Sequence, residues 1–194
     1  MPSPRIVRAW LLTGRPGVGK TTCLRRTLDR LEGPAGGFFT EEVREGGQRV
    51  GFALVTLDGQ RAVLAHVGRG GEPRVGKYGV DVEALDRIGV PAIREAVRRR
   101  SRIVIDEIGK MEMASPAFCQ AVEETLEAPV LVLGTILRAP HPWADRIKRH
   151  PGVELVEVTP ANRQELPGRL AALVGETTRP AREPRERPDR RKQP

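Results

Sequence analysis

The stretch Gly14-Arg15-Pro16-Gly17-Val18-Gly19-Lys20-Thr21-Thr22 constrains this chain more than any other. It satisfies G-x-x-x-x-G-K-[ST] directly after the apolar run Ile6 to Leu12. An apolar strand that ends in such a loop and continues as a helix commits the chain to a βα unit. Glycine at 14, 17 and 19 lets the backbone aim successive N–H groups at a bound phosphate, and the helix opened by Lys20 adds its positive end. Lys20 is expected to bridge the β- and γ-phosphates, Thr21 to offer its hydroxyl to Mg²⁺, and Thr22 to reach the α-phosphate. By chance the pattern arises in about 0.4% of sequences of this composition, even before the flanking strand and helix are required. It is therefore read as a phosphate-binding loop.

A second segment supplies what the loop lacks. Arg102-Ile103-Val104-Ile105-Asp106-Glu107 reads as a short buried strand ending in two carboxylates. At the end of such a strand Asp106 is expected to hold Mg²⁺ through a water, and Glu107 to polarise the water that attacks the γ-phosphate.

Turn chemistry and periodicity order the rest. After the loop a helix is expected from Lys20 to about Leu31, ended by Gly33-Pro34. A meander follows: Gly37–Arg44, the Glu45-Gly46-Gly47 turn, Arg49–Thr56, the Asp58-Gly59 turn and Arg61–His66. The glycine-rich segment Gly68 to Gly79 is expected to lie over the nucleotide. Helical patterns occupy Val82–Arg87 and Ala92–Arg99. Beyond the Asp-Glu strand come a helix opened by Ser115-Pro116, a strand Val130–Thr135, a short helix His141–Lys148, a strand Glu154–Val158 and a helix Asn162–Val174. Strands alternating with helices predict an α/β fold. Its mostly parallel central sheet is flanked by helices, with the antiparallel hairpins added at one edge.

The domain is expected to span 1–174, long enough to bury a core without staples. The stretch 175–194 carries seven basic and four acidic residues with four prolines. This composition predicts a basic, disordered tail. It lacks the aromatic residues that single-strand binding needs, so a nucleic-acid contact is possible but unsupported. Cys23 and Cys119 stand at no metal-ligand spacing and are expected as reduced thiols. No apolar run approaches membrane-spanning length and no leader-like segment opens the chain, so a cytoplasmic protein without a membrane partner is expected, and it is taken as a monomer. Net charge is +8, and 28 of the 33 basic residues are arginine. Biased nucleotide composition or heat adaptation would produce this arginine excess without a functional cause.

Other residues carry two readings each. Thr135 at a strand end suits either a polar sensor of the γ-phosphate or a turn cap. Lys110 suits charge neutralisation at the site or plain solvation. Arg163 suits a contact with base or phosphate, and Asn162 before it suits a helix N-cap. Glu41 and Glu42 read as a solvated hairpin edge, with a place in the Mg²⁺ water shell as the sharper alternative. His66, His141 and His150 show no ligand spacing, and Met111 and Met113 look like packing.

The phrases Gly37-Phe38-Phe39-Thr40-Glu41-Glu42-Val43-Arg44, Val50-Gly51-Phe52, Gly76-Lys77-Tyr78-Gly79-Val80, Asp106-Glu107-Ile108-Gly109-Lys110-Met111-Glu112 and Asn162-Arg163 resemble the THEP1 family of P-loop nucleoside-triphosphatases. The resemblance runs from about Arg5 to Val174. It implies Mg²⁺-dependent hydrolysis of several nucleoside triphosphates, ATP and GTP among them, to the diphosphate and phosphate. It also implies that Ile103, Val104, Ile105, Asp106, Glu107, Ile108, Gly109 and Lys110 line the nucleotide site with residues 14–21. Phe39 stands where members commonly show Tyr. Two rivals stay open at this point: a small P-loop kinase with a nucleotide or metabolite acceptor, and a nucleotide-dependent switch or RNA-associated module.

Overall fold

Nine strands form one sheet in the order β5-β6-β4-β3-β2-β7-β8-β1-β9, in a computed structural model that describes residues 7–178. Five of them make the parallel part: β1 (Ala9–Thr13), the start of β2 (Ala35–Glu45), β7 (Arg102–Ile108), β8 (Val132–Ile136) and β9 (Val153–Glu157). Their side chains alternate between two cores, as the period of a strand buried on both faces requires. Ala9, Leu11, Ile103, Ile105 and Val132 face one, with Phe38 and Phe118. Trp10, Leu12, Val104 and Leu133 face the other, with Leu24, Leu166 and Leu170.

Helices seal both faces. The first core is covered by α3 (Val90–Arg98) and α4 (Pro116–Glu127), the second by α1 (Lys20–Leu28) and α6 (Leu166–Thr178). A short helix α5 (Pro142–Lys148) packs near β9. Because β1, β7 and β8 run parallel, their C-terminal ends lie on one side of the sheet. There they bring together the phosphate-loop sequence, the Asp-Glu pair and Thr135.

The hairpin addition sits at the edge beyond β2. From Phe38 onward β2 pairs antiparallel with β3 (Gln48–Thr56), β3 with β4 (Arg61–His66), and β4 with β6 (Tyr78–Val80), which carries the two-residue β5 (Arg74–Val75). This corrects the expectation for segment 68–79. Its strands β6 and β5 form the sheet's edge, β6 standing six strand positions from β1, roughly 29 Å away at about 4.8 Å per strand, so it does not cover the phosphate loop.

Two helix boundaries also differ from expectation. The helices expected at Val82–Arg87 and Ala92–Arg99 are one continuous helical run. It comprises α2 (Val82–Ala84), a π turn Leu85–Gly89 and α3. Pro91 offers no N–H, and the widened turn before it lets the helix carry on past the missing bond. The closing helix starts at Leu166 rather than Asn162 and ends at Thr178. Pro167 fits the first turn of a helix, while residues 159–165 form turns held by Asn162. The remainder of the expected tail, 179–194, lies outside the described residues.

Candidate active site

The sequence from Thr13 to Lys20 leaves β1 at its C-terminal end and re-enters structure as α1. Gly17 takes a φ of 74° and nothing stands within 4 Å of where its side chain would be. The loop thus bends through a conformation open to glycine and leaves space beside it. Arg15 and Pro16 are exposed and Val18 is buried against the second core, which anchors the loop from below. Cys23 donates its N–H to Gly19 O at 2.9 Å, so the helical ladder begins at once after the loop. Lys20 points its ammonium towards β7, with Nζ 3.9 Å from Glu107 Oε2, and its side chain is only 11% exposed.

At the end of β7 the pairing register slips. Ile105 pairs with Gly134 but Ile108 with Ile136, so one extra residue is accommodated where Asp106 and Glu107 stand. Such a bulge re-aims side chains at a strand end. Asp106 is 1% exposed. Its Oδ1 accepts the Thr135 hydroxyl at 2.7 Å, whereas its Oδ2 is buried and has no protein partner. Burial pushes the Asp106 carboxyl above its ordinary value, and the hydroxyls of Thr135 and Thr21 and the charges of Lys20 and Arg25 pull it back. A buried carboxylate oxygen without a partner, beside a hydroxyl on the first turn of α1, is a hard-oxygen donor set. That chemistry fits Mg²⁺, which takes few protein ligands and completes its shell with water and phosphate.

Glu107 is 35% exposed at the side chain. Its carboxyl is also raised, first by burial and then by the Asp106 charge, with Lys20 opposing. The site therefore combines one cation, one partly exposed carboxylate and one buried carboxylate with a free oxygen.

Thr135, left open between sensor and turn cap, is fully buried and spends its hydroxyl on Asp106. It sits on β8, the strand between β1 and β7, and orients the carboxylate of β7. Ile103, Val104, Ile105 and Ile108 are packed in the core and build the strand, while Lys110 is exposed. Asn162 shapes the turn before α6: its Oδ1 accepts Thr159 N–H at 2.8 Å and its Nδ2 donates to Glu157 O at 2.8 Å. Arg163 then lies against the phosphate loop, donating to Val18 O at 3.4 Å. Glu41 pairs with Arg25 and Arg61, and Glu42 with Arg44 and Arg49, in exposed bridges. One residue near the site had no assigned role in the sequence: Glu112, buried beside Gly109. Its place in the run from Asp106 was the only signal available.

Comparison with known proteins gives a consistent picture. The family model described as NTPase matches residues 9–171. A nucleoside-triphosphatase THEP1 from Thermotoga petrophila is 44% identical over 156 residues, covering 80% of this chain and 87% of that protein. One from Thermofilum pendens is 47% identical over 175 residues, covering 85% and 94%. The crystal structure of THEP1 from Aquifex aeolicus superposes with a TM-score of 0.77 at 38% identity, covering 85% of this chain and 98% of that one. The solution structure of a human cancer-related nucleoside triphosphatase gives 0.77 at 39%, covering 89% and 100%.

Proposed function

From the premise that the chain belongs to the THEP1 family of nucleoside-triphosphatases, and so is an NTP-hydrolysing enzyme, we propose that it is Mg²⁺-dependent and broad in base, turning ATP, GTP and other NTPs into NDP and phosphate. In this reading the N–H groups of residues 17–21 and the Lys20 ammonium hold the β- and γ-phosphates. Thr21, and Asp106 through a water, would hold Mg²⁺, which when bound neutralises charge on the phosphate oxygens. A water attacks the γ-phosphorus, the bond from phosphorus to the β-bridging oxygen breaks, and Glu107 takes the proton that the water gives up. The diphosphate leaves with the bridging oxygen.

The observation that carries this reading is the Lys20–Glu107 pair, 3.9 Å apart at the mouth of the loop. A charge stabiliser and a proton acceptor stand side by side there, which supports a terminal phosphate held by Lys20 with the attacking water on the Glu107 side. The sequence contains no guanine-selecting Asn-Lys-x-Asp tetrad, which speaks against strict GTP use. Segment 68–79, the candidate cover for a kinase acceptor, pairs at the far edge of the sheet, which weakens the kinase alternative. Among the described residues no helix is long and apolar enough to cross a membrane. We take the enzyme to act in the cytoplasm as a monomer.

The test is phosphate release from ATP, GTP, CTP and UTP with Mg²⁺ and no acceptor, for wild type and Lys20→Ala. Release from all four, lowered at least about a hundredfold by the substitution, is the expected result. Release from a single nucleotide would reject base breadth, and full turnover by Lys20→Ala would reject the site.

A further inference from the structure

Only two carboxylic acids are buried among the described residues, Asp106 and Glu112, and the reaction above uses the first alone. Glu112 opens a single 3₁₀ turn, Glu112–Ala114, between the end of β7 and α4. Its Oε2 accepts the Gly109 N–H at 3.2 Å. Gly109 O in turn accepts Met113 N–H at 3.0 Å, and Glu112 O accepts Ser115 N–H at 3.0 Å. The chain from Gly109 to Ser115 is thus tied down on both sides of the Glu112 side chain.

Gly109 shows what that turn is for. A Cβ at this position would stand 2.9 Å from Glu112 Oε2, 3.1 Å from Glu107 Oε1 and 3.3 Å from Glu107 Cγ. The two carboxyl groups therefore converge on one point above the bare Gly109 Cα, and any side chain there would push against both. Glu107 Oε2, the other oxygen of the same carboxylate, is the one that faces Lys20.

We propose that Glu112 and the bare Cα of Gly109 form the seat that fixes the Glu107 carboxylate towards the attacking water, making Glu112 a positioning residue for hydrolysis. The proposal rests on Glu107 being the base. Burial, reinforced by the charges of Glu107 and Asp106, pushes the Glu112 carboxyl up to about 8 against the pull of the Gly109 and Glu112 N–H groups. At neutral pH it is an uncharged acid, so it packs beside Glu107 without repelling it. Once it ionises, a negative charge stands next to the base and the seat loosens. The charged groups that face it come from the end of β7, Glu107 and Asp106, with Lys20 of α1 on the far side of Glu107.

The experiment measures kcat, KM and nucleotide affinity from pH 6 to 10 in the full chain, for wild type, Glu112→Gln, Glu112→Ala and Gly109→Ala. Thermal melts accompany each variant. Glu112→Ala and Gly109→Ala are expected to lower kcat about tenfold with KM within about threefold, the pattern of a misplaced catalytic group. Glu112→Gln is expected to recover most of what Glu112→Ala loses, and to lack the decline in kcat that wild type shows as pH rises through about 8. If Glu112→Gln keeps the alkaline decline of wild type, or if the two alanine variants keep wild-type kcat while folded, the seat is refuted. Glu107→Gln, run alongside, separates this from failure of the base: a fully active Glu107→Gln overturns the reading on which the proposal stands. Should Glu112→Ala not fold, Glu112→Gln and Gly109→Ala still decide it.

Discussion

Replacing Glu112 by Gln should make the protein more stable, by an amount that depends on pH. In the unfolded chain this carboxyl titrates near its ordinary 4.5, and in the native protein near 8. Between those values the native state holds a proton that the unfolded chain has released. The favourable contribution is therefore complete below about pH 4.5 and is lost as pH rises towards 8, at about 1.4 kcal/mol per pH unit. By pH 7 the wild type has lost about 3 kcal/mol relative to a side chain that never ionises. Gln has the same shape, and its carbonyl oxygen can take over the Gly109 N–H bond. Its amide nitrogen brings donors that need partners in a buried place, which returns about 1 kcal/mol. The net gain at pH 7 is about 2 kcal/mol, or a rise in Tm of about 4–8 °C for a folded body of this size. Melting curves of both proteins at intervals from pH 5 to 8 test this. The gain should be near zero at pH 5 and grow with pH. An equal shift at every pH, or a destabilised Glu112→Gln at pH 7, would refute the reasoning.

Two further predictions concern the carboxylates of β7. Thr135→Val removes the one hydroxyl that donates to Asp106 Oδ1. With Oδ1 then unpartnered, that carboxyl should bind its proton more tightly, and titration with Mg²⁺ should show half-maximal activity at a severalfold higher concentration; an unchanged Mg²⁺ curve would place the Thr135 hydroxyl outside the site's chemistry. Glu107 must be ionised to accept a proton, and burial and Asp106 raise its carboxyl. In wild type kcat should therefore fall on acidification at a pH above the ordinary glutamate value of 4.5, and a midpoint at or below that value would mean that another group sets the limb.

What the sequence disclosed was local. The phosphate loop was legible because its geometry is made by consecutive residues, and Asp106 and Glu107 because an apolar run ending in two acids has few readings downstream of such a loop. The parallel sheet with an edge meander followed from alternation and turn chemistry. Contacts between distant strands were not legible. Thr135 could be placed at a strand end, but its partner Asp106 stands 29 residues away, and only the strand order β7-β8-β1 brings them side by side. Glu112 drew no role, because nothing in its neighbours announces that the turn Glu112–Ala114 folds inward. Segment 68–79 looked like a nucleotide lid for the opposite reason: its glycines mark turns equally well, and strand pairing at the far edge decides which. The helical patterns at Val82–Arg87 and Ala92–Arg99 looked separate where the π turn Leu85–Gly89 joins them, and Asn162 suggested a cap where it builds the preceding turn.

Hydrolysis at this site turns on Glu107 as the group that activates water. Nucleotide binding and phosphate release by Glu107→Gln, measured on one preparation with Mg²⁺, address this without assumptions about substrate. Gln keeps the size of the side chain but cannot accept the proton. The expected result is affinity within about threefold of wild type and release slowed at least about a hundredfold. Release at the wild-type rate with intact binding would contradict it and move the proton acceptor elsewhere.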